Sequence, residues 1–351
     1  MAATQTFPQA INLMNKQEDA SSAKIELIPA PMPHILSKGD YQDFRAELYE
    51  NGFAVIKGAI PLDRAEKYCE KAHDWLRSFG TDLDFDNPDT WVSENLPHAN
   101  QIRTYADYCV NHEKFMWDAR LEPGVVDAFA KVWETDELLV SFDSLNITFP
   151  NRKDIPRRKA WEHIDQSPMR RGLHCVQGII ALSPSGPDDG GLVVYPKSHK
   201  FNDEFFGSQS DKKSWLPFKD IYMLPQTELD WFTARGMGPH KVCAEPGDLI
   251  LWDSRVIHYG SEPTEKSNQT RTAIYAAYTP ASMATPEQLA LKKQVFEKYG
   301  GTTHWPHSHI AVRNPHVMLP DGTRDPRDRD QPLEIPEFSD RLLKLAGAKS
   351  Y

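Results

Sequence analysis

Apolar residues recur at helical spacing in the first third of the chain and gather into short dense runs beyond about residue 139. In "DYQDFRAELYENG", Tyr41, Phe44 and Leu48 fall on one side of a helix that Gly52 stops. "FAVIKGAI" is apolar enough to read as a short buried strand. "PLDRAEKYCEKAHDWLRSFG" opens with Pro61 and ends with Gly80. It sets Ala65, Tyr68, Ala72, Trp75, Leu76 and Phe79 on one face, which predicts a second helix. "PGVVDAFAKVWET" predicts a third.

From about 139 the pattern becomes that of strands. "LLVSFDSLNITFP", "GLHCVQGIIALSP", "GGLVVYPKSH", "GDLILWDSRVIHYG" and "RTAIYAAYTP" are rich in β-branched and apolar residues. Gly, Pro, Asp or Ser bounds each of them. Strands joined by turns rather than helices predict an antiparallel sandwich or barrel, with helices outside one β core. A polar insert at about 201–240 interrupts this region and is expected to be a lid, a binding element or a packed-on helix. "PEQLALKKQVFEKYG" predicts a late helix, and a final short one is expected near 337–347. The proline-rich 1–39 reads as a loosely ordered extension. Residues 40–351 then form one domain: helical support at about 40–138, the β core at 139–280, and helices and loops at 281–351.

Charge and composition narrow the partners. A net charge of −10 argues against nucleic acid or an anionic membrane surface. No run of about 18 apolar residues is present, and the N-terminus has neither the basic nor the apolar segment of a secretory signal. The C-terminal "AKSY" is not a peroxisomal signal. Cys69, Cys109, Cys175 and Cys243 are scattered and read as free thiols. The expectation is a cytoplasmic protein whose partners are a small-molecule substrate and at most a second copy of itself.

Candidate chemistry begins in "WEHIDQ". His163 and Asp165 lie two apart, so in extended backbone they point the same way. Alone, this is a common chance pattern. His258, read as lying near the end of the apolar strand in "GDLILWDSRVIHYG", supplies a second imidazole. Two histidines and one carboxylate with open positions make the facial triad of non-haem Fe(II) oxygenases; a structural zinc site would ask for four ligands. Arg271 heads the next strand, where a buried guanidinium needs a partner such as a carboxylate. Asn146 and Gln177 are polar residues inside apolar strands and need partners too. Each is a candidate contact for co-substrate, substrate or backbone, and Ser261 is a weaker one.

Other residues read as bystanders. "HWPHSH" offers His304, His307 and His309, with His316 further on. Without a nearby carboxylate they are expected to pack over the barrel mouth. His199 is expected to stabilise a turn, and His174 to be structural. The basic runs 157–159 and 170–171 read as solvated loop ahead of a role in steering an anionic substrate, and Trp161 and Trp252 as core residues or pocket walls.

The segments "WEHIDQ", "LSPSGPDDGGLVVYPKSHK", "EPGDLILWDSRVIHYG" and "RTAIYAAYTP" together resemble the phytanoyl-CoA dioxygenase-like branch of the Fe(II)/2-oxoglutarate-dependent oxygenases. The resemblance covers about 139–280, with a weaker match at "YENGFAVIKGAI". It implies a double-stranded β-helix, a jelly roll. His163, Asp165 and His258 become the catalytic iron ligands, and Arg271 the residue for the distal carboxylate of 2-oxoglutarate. The gap from His258 to Arg271, thirteen residues, is longer than usual in that family. The implied reaction uses Fe(II), 2-oxoglutarate and O₂, and releases succinate and CO₂. It oxidises an unactivated C–H by hydroxylation, desaturation or ring closure. Phytanoyl-CoA itself suits the charge poorly; an amino acid or natural-product intermediate fits better. A cupin-type metalloenzyme without 2-oxoglutarate and a non-catalytic binding module are the rival readings.

Overall fold

A computed structural model describes residues 26–351, apart from 101, 218, 309–312, 314 and 320. Most of the expected N-terminal extension, and His309, lie outside the described residues.

The strands are β1 (Phe53–Ile56), β2 (Leu138–Val140), β3 (Leu145–Thr148), β4 (His163–Ile164), β5 (Val176–Ala181), β6 (Gly191–Val194), β7 (Tyr222–Met223), β8 (His240–Lys241), β9 (Leu249–Asp253), β10 (His258–Ser261) and β11 (Arg271–Pro280). The helices are α1 (Phe44–Asn51), α2 (Leu62–Arg77), α3 (Lys114–Arg120), α4 (Pro123–Trp133), α5 (Asn202–Ser208), α6 (Gln226–Thr233), α7 (Pro286–Glu297) and α8 (Asp340–Leu345). One sheet runs β1-β9-β5-β11-β2, with β3 also on β11; the other runs β7-β4-β10-β6-β8. All the named pairings are antiparallel. This is the expected jelly roll.

Strand alternation sorts the larger sheet. Leu249 and Leu251 of β9, Ile180 of β5, and Ile274 and Tyr278 of β11 face the helices and join Ala65, Trp75, Phe129 and Trp133 in the main core. Their neighbours Ile250, Trp252, Ile179 and Ala273 face the other way and pack with Leu192 and Val194 of β6, filling the space between the sheets. Gln177, Asn146 and Arg271 share that second parity, because Asn146 pairs with Ala273 and Gln177 with Ala277. Inward-facing polar residues on a sandwich must be satisfied by one another or by a ligand.

Two expected strands are pairs. "LLVSFDSLNITFP" divides into β2 and β3, both on β11. "GDLILWDSRVIHYG" divides into β9 in one sheet and β10 in the other, so His258 opens a strand instead of closing one. The Asp253 carboxylate accepts the Arg255 N–H at 2.8 Å and turns the chain between them. The 201–240 insert is mainly the packed-on helix of the three expectations. Phe205, Phe206, Leu229 and Phe232 of α5 and α6 cover the outer face of the smaller sheet, against Ile164, Tyr195 and Tyr259. Between these helices β7 extends the sheet, pairing Met223 with His163. Among the described residues no helix is long and apolar enough to cross a membrane, and the four cysteines are unpaired thiols.

Candidate metal centre

β4 and β10 are neighbours in register, with His163 opposite His258. Asp165, just beyond β4, turns back between them. Its Oδ1 lies 3.4 Å from His163 Nε2 and its Oδ2 lies 3.0 Å from His258 Nε2. The candidate ligand atoms of the three buried residues lie within 4.8 Å of one another. This is the one-faced set of two imidazoles and a carboxylate that suits iron(II).

The supporting bonds fix the protonation that a ligand needs. His163 Nδ1 donates to Trp161 O at 2.9 Å, and His258 Nδ1 donates to Val256 O at 2.9 Å. Each ring therefore carries its proton on the outer nitrogen and turns the Nε2 lone pair inward. Burial, and then the adjacent His258, pushes the His163 imidazole below its ordinary value. Burial works against ionisation of Asp165, but His304, His258 and His163 together hold its carboxyl well below the usual range. The donor set fits a divalent ion.

Gln177 Nε2 donates to Asp165 Oδ2 at 2.8 Å, which answers the need of a polar residue on an apolar strand. Trp161 stacks on His163 with ring centroids 4.2 Å apart. His304 Nε2 donates to the Asp165 backbone carbonyl at 3.2 Å. The expectation that "HWPHSH" packs over the barrel mouth holds for His304. That it also touches the acid of the triad was not legible from spacing. His307 instead bonds Thr279, and His316 bonds Asp328. His199 Nε2 donates to Tyr49 O at 3.0 Å and braces the end of α1, where Gly52 (φ 81) has no room for a side chain beside the His199 ring. Buried His174 lies beside Arg170.

A cleft of about 280 Å³ opens onto the three residues. Trp161, Ile179, Leu192, Ile221, Trp252 and Tyr275 give it apolar walls, and Thr104, Ser144, Asp143, Asp220, Arg158, Arg313 and His304 give it polar ones. The basic runs are solvated loop only in part: Arg157 and Lys159 are exposed, as expected, whereas Arg158 and Arg170 are engaged. Arg158 is on the cleft wall and shares the Glu262 carboxylate with Arg103, at 2.8 and 2.6 Å. Arg170 is buried and sits over the Trp305 ring, 4.6 Å from its centre. Both runs hold loops through cation–π and ion-pair contacts that a local sequence window does not show.

Arg271, Asn146 and Ser261 lie off the cleft wall. Buried Arg271 donates from Nη1 to Asn146 Oδ1 at 2.5 Å. Ser261 Oγ donates to Gly191 O at 3.1 Å. Gly191 pairs with Ser261, three residues along β10 from His258. At about 3.4 Å per residue this spans about 10 Å. Lys241, which no sequence pattern singles out, reaches the same place: its Nζ donates to Gly190 O at 3.0 Å.

Residues 48–273 match the family described as phytanoyl-CoA dioxygenase (PhyH). "Ava biosynthesis cluster protein O" of Aspergillus versicolor is 39% identical over 296 residues, 83% of this chain and 93% of that protein. Among solved structures, GlcNAc Inducible Gene 2 of Candida albicans superposes with a TM-score of 0.52 at 14% identity, over 78% of this chain and 71% of that one. The epimerase SnoN, solved with Fe3+, alpha ketoglutarate and nogalamycin RO, gives 0.47 at 17% identity, over 84% and 94%. At 14% identity the likeness to the Candida albicans protein speaks to the fold.

Proposed function

The chain belongs to the phytanoyl-CoA dioxygenase family of non-haem iron, 2-oxoglutarate-dependent oxygenases, and on that premise we propose that it oxidises a C–H bond of a small natural-product intermediate, with residues 40–351 acting as one catalytic unit. The observation that carries this reading is the convergence of His163, Asp165 and His258 on one buried point. Bound there, Fe(II) with 2-oxoglutarate and O₂ supplies the oxidising chemistry, releasing succinate and CO₂.

The chain's own residues do the rest. His163, Asp165 and His258 hold the ion by one face. Gln177 keeps Asp165 aimed. Trp161 and Trp252 limit water on either side of the imidazoles. Arg271 would hold the distal carboxylate of 2-oxoglutarate. Asn146 serves the co-substrate at one remove, by fixing Arg271. Ser261 does so by fixing the Gly191 backbone.

Support for the substrate class comes from the cleft and from the relative. A volume of about 280 Å³ suits a small molecule, and walls that mix indole and aliphatic groups with arginine and aspartate suit one of mixed polarity. The Aspergillus versicolor protein carries a biosynthesis-cluster name, which favours specialised metabolism.

The test is anaerobic. Adding Fe(II) and then 2-oxoglutarate to metal-free protein should produce a weak visible metal-to-ligand charge-transfer band. Folded protein that takes up iron but shows no band with 2-oxoglutarate would overturn the reading in favour of a metalloenzyme without this co-substrate. No iron uptake at all would favour a binding module.

A further inference from the structure

The Arg271 end of the site holds a second cation. Gly191 has a φ of +140°, and a β-carbon there would lie 2.7 Å from Lys241 Nζ, 2.9 Å from Ser185 Oγ and 3.2 Å from Arg271 Nε. Three polar groups from β8, β11 and the loop before β6 thus crowd around Gly191, at a position with no room for a side chain. Lys241 Nζ donates to Gly190 O at 3.0 Å and lies 3.5 Å from Ser185 Oγ. An ammonium has three protons to give. Among the described residues no carboxylate forms an ion pair with Lys241 or Arg271. Two like charges brought close together, one buried and one half-buried, are costly unless an anion joins them.

Resting on the assignment of Arg271 to the far carboxylate of the co-substrate, we propose that Lys241 is a second binding residue for that carboxylate, so that the diacid is gripped between an ammonium on β8 and a guanidinium on β11. The charge balance supports this. Burial, and next the Arg271 guanidinium, pushes Lys241 down to about 7, while Cys243 and Asp189 pull the other way. A bound carboxylate would favour the protonated form. Affinity for 2-oxoglutarate should therefore weaken as pH rises through 7 in the wild type. The purely structural role for Lys241 is to tie down the turn at Gly190, and the test separates the two.

Iron-loaded protein is titrated anaerobically, by calorimetry and by the visible band, with 2-oxoglutarate and with pyruvate, which lacks the distal carboxylate. Lys241→Gln keeps a donor for Gly190 O but no charge; Lys241→Arg keeps the charge. The expected result for Lys241→Gln is 2-oxoglutarate affinity lower by about tenfold or more, pyruvate affinity unchanged and the pH dependence flattened. Lys241→Arg should recover part of the loss. Equal losses for both ligands, or none for 2-oxoglutarate, would overturn the proposal. A wild-type protein that binds iron but gives no band would overturn the underlying reading instead, and this proposal with it.

Discussion

At the His163–Asp165–His258 end, every group is already tied by a neutral partner: two backbone carbonyls hold the imidazoles and one amide holds the carboxylate. At the Arg271 end, the guanidinium meets a neutral amide and lies close to a second cation. The first end is built to present lone pairs of fixed direction. The second is built to keep a positive charge available. One end selects by geometry and protonation, the other by charge. The two should fail in different ways when they are cut.

Asp165→Ala gives the largest expected effect. It removes the anionic ligand and leaves two neutral imidazoles, so Fe(II) binding and turnover should both be lost, as read by iron content after gel filtration and by succinate release. Retained iron would break the distinction between the ends. Arg271→Leu comes next. Affinity for 2-oxoglutarate should fall by about tenfold to a hundredfold while iron content stays near wild type, as measured by the anaerobic band at rising co-substrate. If iron falls as well, the two ends are not separable. Gln177→Leu is the smallest. It leaves every ligand in place but unties Asp165 Oδ2, and iron affinity should drop by about tenfold, measured by competition with a chelator. An unchanged value would mean that Asp165 is held well enough by His304 and the strand alone.

The two ends also differed in how far they could be read from sequence. His163 and Asp165 are two apart, and strand periodicity alone puts them on one side. His258 and Arg271 each adjoin a run of apolar residues, so strand grammar finds them. What joins them is pairing at long range: β4 against β10, with Asp165 and His258 93 positions apart. No local window contains that. Lys241 sits on a two-residue strand after the insert and lacks any pattern of its own. His304 was visible as a histidine but not as a neighbour of Asp165, because a contact over 139 residues depends on where the C-terminal segment folds back. The division of "GDLILWDSRVIHYG" into two strands did leave a local trace: Asp253 two residues before Arg255 is a turn signature inside an apolar run. The loop arginines were misread because composition cannot tell a solvated guanidinium from one stacked on Trp305 or clamped on Glu262.

The short strand β7 has a consequence for how such a protein can diverge. It belongs to the insert, yet it is hydrogen-bonded to the very strand that carries His163, with Leu224 N donating to Glu162 O at 3.0 Å. Inserts tolerate changes of length and sequence far better than core strands do. A lengthened or shortened 209–221 segment would displace Met223, and with it the backbone under His163, while every ligand kept its identity. Variation in this segment would therefore act as a steering linkage: it can re-aim one imidazole from behind the sheet and, through Asp220 and Ile221, reshape the cleft wall, while the iron-binding residues keep their identity.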